Sequence, residues 1–131
     1  MNETRTPNIL IVDDQELIYR VLQATLRPLG ARLSWVHSGE NAIEHLKSFG
    51  VPDAIILDFS MPEMDGVETL RKIRKLPSGD LIPVVMLTAR DQTHIRTDAE
   101  ELQVHSFMTK PFSPNLLLST IKQILKIQRE A

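Results

Sequence analysis

The stretch "ILIVDDQE", residues 9–16, joins a short apolar run directly to two acids. Four consecutive aliphatic residues, 9–12, are typical of a strand that is covered on both faces, as in a parallel sheet. Asp13 and Asp14 follow at once. Two adjacent carboxylates at the end of a buried strand repel each other and lose solvation. Such a pair is expected where a cation compensates it, or where it caps the following helix.

Four more short apolar runs follow along the chain. The runs "AIIL" (54–57) and "PVVML" (83–87) are nearly unbroken and predict further buried strands. The run "ARLSWV" (31–36) alternates in polarity, which is typical of an edge strand. Trp35 is interpreted as packing on that edge strand, too far from the acids that end the other strands to report on them by fluorescence. "HSFMT" (105–109) is the fifth predicted strand.

The segments between the strands have helical periodicity. Ser38 and Asp65 are predicted N-caps, the second with Glu68 as a capping box, and Gly30 suits the position just past a helix end. The first helix has a predicted buried stripe of Leu17, Ile18, Val21, Leu22, Leu26 and Leu29. Helices are predicted over 15–29, 39–48, 66–75, 91–102 and from Ser113 almost to the C-terminus. Strict alternation of strands and helices predicts an open parallel sheet with helices on both faces.

The composition is that of one globular domain. Of 131 residues, 42% are hydrophobic and 24% are charged, so disorder is not expected. A net charge of −2 without a basic stripe argues against direct nucleic-acid binding. The absence of cysteine excludes disulfides and cysteine-based zinc sites. No run approaches the ~20 apolar residues of a membrane span, and no signal peptide is visible, so a cytoplasmic protein is expected. We expect a single domain over 1–131, with its core at about 7–128.

Polar residues recur where the predicted strands end. Asp13 and Asp14 follow the first strand, Asp58 the third, Thr88 the fourth and Lys110 the fifth. In open parallel sheets, ligands bind outside the carboxyl ends of the strands. The spacing of the predicted units therefore places three acids, a hydroxyl and an ammonium at one edge of the sheet.

This set of groups suits phosphoryl chemistry. Carboxylates are hard oxygen ligands that suit Mg²⁺, a cation that also favours phosphate partners. An ammonium is a point charge suited to a phosphoryl oxygen, and a hydroxyl adds a donor. An aspartate facing all three is arranged for nucleophilic attack on phosphorus. The residues alone thus predict a phosphoryl-accepting aspartate.

The chain resembles the receiver domain of two-component response regulators over essentially its whole length. The resemblance lies in the acidic pair Asp13 and Asp14, in "LDFSMPEMDG" around Asp58, in "TA" beginning at Thr88, and in "KPF" beginning at Lys110. It implies a flavodoxin-like (βα)5 fold with strand order 2-1-3-4-5. It also implies a signalling module. Because the five predicted strand and helix units occupy nearly all of the 131 residues, no effector domain is expected in this chain.

The resemblance assigns the acceptor and the metal ligands. Asp58 would be the phosphoacceptor. Asp14, Asp58 and the backbone carbonyl of Ser60 would hold Mg²⁺ or Mn²⁺, with Asp13 assisting through a water molecule. The chain would catalyse only its own phosphorylation from a donor and its own dephosphorylation, so it is not expected to be an enzyme in the usual sense.

The resemblance also assigns a switch. Thr88 and Lys110 would bind the phosphoryl oxygens, and the peptide bond between Lys110 and Pro111 would be cis. Phe107 occupies the aromatic switch position, where it would act by packing alone. The expected partners are a sensor histidine kinase or phosphotransfer protein as donor and a downstream protein or effector domain as target. A homodimer through the face of helix four, strand five and helix five is also possible.

The sequence leaves alternative interpretations open for the last helix, the loop at 103–104 and the function. In the last helix, Leu116, Leu118 and Ile127 widen the apolar stripe, which indicates either a broad core contact or a partner surface. Gln103-Val104 stands where relatives usually have Gly-Ala, so the loop there must turn without glycine. An unphosphorylated interaction module and a phosphatase with an aspartyl-phosphate intermediate are the alternatives. Phosphatases of that class resemble one another in having a second aspartate two residues after the nucleophile. In this chain the corresponding position is Ser60, which argues against that function.

Overall fold

The computed structural model describes residues 6–61, 63–89 and 93–130, apart from the side chains of 93–96 and 127–130. Its sheet has five parallel strands in the order β2-β1-β3-β4-β5, as the resemblance predicts. Because β2 lies at an edge, the alternating polarity of its sequence is explained. The strands are β1 Asn8–Val12, β2 Arg32–Val36, β3 Ala54–Asp58, β4 Val84–Thr88 and β5 Ser106–Thr109.

The register brings the carboxyl ends of the strands to one edge of the sheet. Val12 of β1 pairs with Leu57 of β3, and Thr88 of β4 pairs with Thr109 of β5. The residues that follow these pairs therefore share that edge, which we call the carboxyl edge. The end of the sheet at which the strands begin is called the amino edge.

Helices follow the strands as predicted, with two short 3₁₀ turns at Arg27–Leu29 and Gly79–Leu81. The first turn includes Pro28 and ends the first helix earlier than predicted, and Gly30 follows with φ +61°. Among the described residues, no helix is long and apolar enough to cross a membrane. The helices are α1 Glu16–Leu26, α2 Gly39–Phe49, α3 Gly66–Arg74, α4 Thr93–Glu101 and α5 Pro114–Glu130.

The two predicted N-caps are confirmed by their hydrogen bonds. The Ser38 hydroxyl accepts from the Asn41 backbone N–H at 3.1 Å, at the start of α2. The Asp65 carboxylate accepts from the Glu68 N–H at 2.9 Å, at the start of α3. Each bond satisfies a backbone donor that the first helical turn leaves without an intrahelical partner.

An apolar layer covers each face of the sheet, because successive residues of a strand point to opposite faces. One layer joins the sheet to α2, α3 and α4. Its buried helical members include Ala42, Leu46, Leu70, Ile73 and Ala99. The other layer joins the sheet to α1 and α5. Its buried helical members are Leu22, Leu26, Leu117, Ile121, Ile124 and Leu125.

The predicted stripe of α1 was wrong at two positions. Leu17 is 71% exposed and Val21 is 38% exposed, whereas Leu22 and Leu26 are buried. Residues 17 and 21 lie about 100° around the helix from residues 18 and 22, and the neighbouring elements cover only the side that carries 18 and 22. In α5, Leu116 is 55% exposed, while Leu118 packs against the layer of α1 and α5. The Ile127 side chain lies outside the described residues.

Arg74 joins two loops at the amino edge, a role that the sequence did not reveal. Its guanidinium donates to the carbonyls of Gly79 and Ile82, which precede β4, at 2.8 and 2.7 Å. It also donates to the carbonyls of Leu102 and Gln103, which follow α4, at 2.8 and 3.1 Å. We call this arrangement the Arg74 clamp.

Gln103, which stands where relatives usually have glycine, adopts a backbone conformation that glycine favours. Its φ is +62°, in the left-handed region that side chains other than those of Gly, Asn and Asp rarely enter. The chain therefore makes the same kind of turn without glycine, and the Arg74 clamp holds the carbonyl of the strained residue.

Candidate functional site

Three acids lie together at the carboxyl edge. Asp13 follows β1, and Asp58 is the last residue of β3; each of these residues is only about 1% exposed. Asp14 is exposed beside them. One carboxylate oxygen from each of the three lies within 4.8 Å of the other two. The sheet thus brings together the acids that the sequence predicted at one site.

Lys110 pairs with both buried acids. Its Nζ lies 3.1 Å from Asp13 Oδ2 and 3.0 Å from Asp58 Oδ1. The backbone N–H of Lys110 donates to the Thr88 carbonyl, which fixes the lysine beside the end of β4. The peptide bond between Lys110 and Pro111 is cis. The ammonium therefore bridges carboxylates from two central strands.

Backbone donors orient the two buried carboxylates. The Gln15 N–H donates to Asp13 Oδ1 at 2.8 Å, and the Ser60 N–H donates to Asp58 Oδ1 at 3.3 Å. Both are short-range contacts of the kind in which an aspartate bonds the backbone two residues further on. Ser60 itself is exposed. Each acid is consequently held both by its own loop and by Lys110.

Burial and mutual repulsion disturb the titration of these groups. Burial, followed by the charge of Asp13, raises the pKa of Asp58 to about 6, although Lys110 and the Ser60 N–H act in the opposite direction. Burial also raises the pKa of Asp13. Burial would lower the pKa of Lys110, but its bonds and charge interactions with Asp58 and Asp13 outweigh this and raise it. Since the pKa values of both acids stay raised, the charge of Lys110 does not fully offset their burial and mutual repulsion.

Thr88 and Phe107 lie on β4 and β5, beside this cluster. Thr88 is about 1% exposed and ends β4 at the carboxyl edge. Phe107 is half-buried, pairs in register with Met86, and packs against the apolar layer of α2, α3 and α4. The hydroxyl residue is therefore near the acids, and the aromatic residue joins the edge strand to the α4 side of the molecule.

The sequence reading missed one contact of the site. Trp35 Nε1 donates to the backbone carbonyl of Asp13 at 2.7 Å, so the expectation that Trp35 lies too far from the acids to report on them was wrong about the distance. Trp35 pairs in register with Ile11, two residues before Asp13. From that position a large indole can reach along the strand to Asp13. A prediction of the register between β1 and β2 would have indicated this contact.

The donor set of the cluster fits a hard divalent cation. In the part of the chain that the structure describes, Lys110 pairs with two of these three carboxylates, Asp13 and Asp58. If all the groups are ionised, two negative charges remain uncompensated. Carboxylate oxygens gathered within 4.8 Å, one of them on exposed Asp14, are the ligands that Mg²⁺ prefers.

Comparison with known sequences gives a family. The model of the response regulator receiver domain matches residues 9–122. The alkaline phosphatase synthesis transcriptional regulatory protein PhoP of Bacillus subtilis is 36% identical over 118 residues, which are 90% of this chain and 48% of that protein. Response regulator MprA of Mycobacterium ulcerans is 34% identical over 118 residues, which are 90% of this chain and 50% of that protein. The chain thus spans about half the length of these curated relatives.

Solved structures agree with this assignment. A putative response regulator from Chloroflexus aurantiacus superposes with a TM-score of 0.85 at 30% identity, covering 93% of this chain and 99% of the other. Chemotaxis protein CheY4 of Vibrio cholerae superposes with a TM-score of 0.82 at 26% identity, covering 91% and 98%. Together with the family match and the fold, these likenesses show that the chain belongs to the response regulator receiver domain family of two-component signalling.

Proposed function

We propose that Asp58 accepts a phosphoryl group from a sensor histidine kinase or a phosphotransfer protein. The observation that carries this proposal is the position of Lys110 Nζ, 3.0 Å from Asp58 Oδ1 and 3.1 Å from Asp13 Oδ2. A buried carboxylate with an ammonium beside it and two further acids around it has a nucleophile and a charge-binding site in one place.

In the proposed step, an Asp58 carboxylate oxygen attacks the phosphorus of a phosphohistidine. The new O–P bond forms an acyl phosphate as the N–P bond breaks, and the electron pair of that bond stays on the leaving imidazole nitrogen. Lys110 stabilises the charge on the transferred phosphoryl oxygens by a charge-assisted hydrogen bond. Asp58 must be ionised to attack, and with a pKa of about 6 it is ionised at neutral pH.

The acidic cluster is the proposed binding site for Mg²⁺ or Mn²⁺. Asp14, Asp58 and the Ser60 carbonyl would hold the ion, with Asp13 assisting through water. When bound, the ion supplies positive charge that lowers the repulsion between the acids and the incoming phosphoryl group. The residues themselves orient the acceptor, because the Gln15 and Ser60 backbone N–H groups and Lys110 hold Asp13 and Asp58 in place.

The proposed output is a change of the face formed by α4, β5 and α5. Thr88 would move toward the new phosphoryl group, and Phe107 would repack beside α4 by apolar contact alone. A nearly complete switch, from 1:99 to 99:1, requires about 5.5 kcal/mol of differential stabilisation. A doubly charged group contacting Lys110 and a divalent ion is strong enough to supply this.

We propose that residues 1–131 act as one receiver unit that controls a separate output. PhoP, the relative named above as a transcriptional regulatory protein, is about twice as long as the part of it that matches this chain. Contact with a target, an effector domain or a second copy through α4, β5 and α5 would transmit the signal. The chain would act on its own Asp58, not on a released substrate.

The test is intact mass after incubation with acetyl phosphate and Mg²⁺. We expect a gain of one phosphoryl group by the unaltered protein and none by Asp58→Asn or after chelation of the metal. Asp65→Asn is the matched control, because it makes the same chemical change at a nearby aspartate and asparagine still caps a helix.

Each other outcome has a definite meaning. Phosphorylation of Asp58→Asn would show that the acceptor is a different residue. No gain by a correctly folded protein, with Asp65→Asn equally inert, would favour the unphosphorylated interaction module. Rapid release of inorganic phosphate from an added monoester would favour the phosphatase.

A further inference from the structure

We propose that Trp35 is a positioning residue for Asp13, and through it for the metal and phosphoryl site. This inference rests on the proposed function, since Asp13 is there assigned to the site. Its basis is the hydrogen bond from the indole Nε1–H to the Asp13 backbone carbonyl, at 2.7 Å. The bond joins the edge strand β2 to the loop that carries the acids.

Four contacts determine where the Asp13 carboxylate lies. The side-chain oxygens bond the Gln15 N–H and Lys110 Nζ. The backbone N–H of Asp13 donates to the Val36 carbonyl at 3.1 Å, and its carbonyl accepts from Trp35. Both backbone contacts thus come from the last two residues of β2. The regular pairing of β1 with β2 ends at Val12 and Val36. The indole of Trp35 adds one more hydrogen bond between β2 and the chain, at Asp13.

The indole is itself fixed in position. Its ring is stacked on Tyr19 of α1, with ring centroids 4.5 Å apart and planes 10° apart. The His37 ring contacts it with a centroid distance of 4.3 Å. Because contacts with two other rings restrict the rotation of the indole, its N–H presents a donor with a fixed direction. An outer contact of this kind orients a metal ligand without touching the metal.

Trp35 is the only tryptophan in the chain, which permits a test by substitution of single atoms. Biosynthetic replacement of tryptophan by 3-benzothienylalanine changes Trp35 alone and exchanges the N–H for sulfur in a ring of nearly the same shape. Replacement by 5-fluorotryptophan keeps the N–H and serves as the matched control. Binding of Mn²⁺ is measured from the electron paramagnetic resonance signal of the free ion, which does not depend on tryptophan.

We expect the benzothienyl protein to bind Mn²⁺ roughly tenfold more weakly than the fluorinated protein, as removal of an outer-shell partner typically does. Their unfolding temperatures should remain similar. The ¹⁹F resonance of the control should shift on addition of Mg²⁺, which a purely structural tryptophan would not show. Tyr19→Leu, which removes the stacked ring but keeps the N–H, should change the affinity by less than the loss of the N–H does.

Equal Mn²⁺ affinity of the benzothienyl and fluorinated proteins would overturn the proposal. So would an equally large loss of affinity in Tyr19→Leu, because the effect would then come from packing. Absence of Mn²⁺ binding by the fluorinated protein would instead refute the metal site of the proposed function, and the positioning role with it. Trp35→Phe gives the same comparison if the labelled protein folds poorly.

Discussion

The two edges of the sheet surround their charged side chains with different partners. At the amino edge, the guanidinium of Arg74 makes four hydrogen bonds to backbone carbonyls. At the carboxyl edge, Lys110 bridges Asp13 and Asp58, yet the pKa of each acid stays above its ordinary value. Burial lowers the pKa of Arg74, but the charge of Asp80 opposes this shift, whereas the acids at the carboxyl edge repel one another.

The difference indicates which edge is built to hold a ligand. This fold is able to surround a half-buried charge with hydrogen-bond acceptors, as the Arg74 clamp demonstrates. Excess negative charge at the other edge lowers the stability of the free protein, so its retention suits a site that an outside cation completes. The predictions below test the two halves of this contrast, beginning with the largest expected effect.

Removing the Arg74 clamp should cause the largest loss. Arg74→Met should lower the free energy of unfolding by about 3 kcal/mol, because the loops before β4 and after α4 lose their shared donor. Urea unfolding at neutral pH measures this. Arg71→Met, on the exposed side of the same helix, is the control and should change stability by less than about 0.5 kcal/mol. Equal effects of the two substitutions would contradict a specific clamp.

Removing a charge at the carboxyl edge should have the opposite sign. Asp58→Asn should raise the free energy of unfolding by about 2 kcal/mol above pH 6 in the absence of divalent ions. A pKa raised from 3.8 to about 6 corresponds to at most about 3 kcal/mol, and the substitution also weakens the bond to Lys110.

The pH dependence of this gain follows from the direction of the shift. Well below pH 3.8, Asp58 is protonated in both the folded and the unfolded chain, so no penalty exists. Between about pH 4 and 6 the unfolded chain ionises first, and the stability contributed by Asp58 falls as the pH rises. The difference between the two proteins should therefore open over this interval. A constant difference at every pH would show that charge is not its cause.

Binding of Mg²⁺ should relieve the same repulsion. At about ten times its dissociation constant, the ion should add about 1.4 kcal/mol to the free energy of unfolding at pH 7.5. The gain should be smaller at pH 5, where protonated Asp58 competes with the ion. Thermal unfolding with Mg²⁺, compared with KCl of equal ionic strength, measures this. A gain of the same size in Asp58→Asn would place the ion elsewhere.

The smallest expected effect concerns the strained turn beside the Arg74 clamp. Gln103→Gly should stabilise the protein by about 0.5 kcal/mol, because relief of the positive φ exceeds the added freedom of the unfolded chain. Lys122→Gly, in the exposed part of α5, should instead cost about 1 kcal/mol. Urea unfolding of both variants is the measurement. A loss of stability in Gln103→Gly would mean that the glutamine side chain supports the turn.

The sequence predicted the strands, the helices and the gathering of acids, because these depend on local patterns and on strand order. Arg74 escaped prediction because its acceptors are backbone carbonyls, which are the same for every residue type. Trp35 escaped because its contact depends on the register between β1 and β2. Leu17 was misplaced because helical periodicity alone does not tell how much of a helix its neighbours cover.

Asp13 and Lys110 touch although 97 positions separate them along the chain. The two acids come from central strands, whereas the lysine follows β5, an edge strand with a neighbour on one side only. A molecule in which β5 has come loose keeps its carboxylates but has no ammonium among them. If Asp58 is the acceptor, efficient phosphorylation would therefore require that β5 is folded onto the sheet. Only completely folded molecules would then transmit the signal.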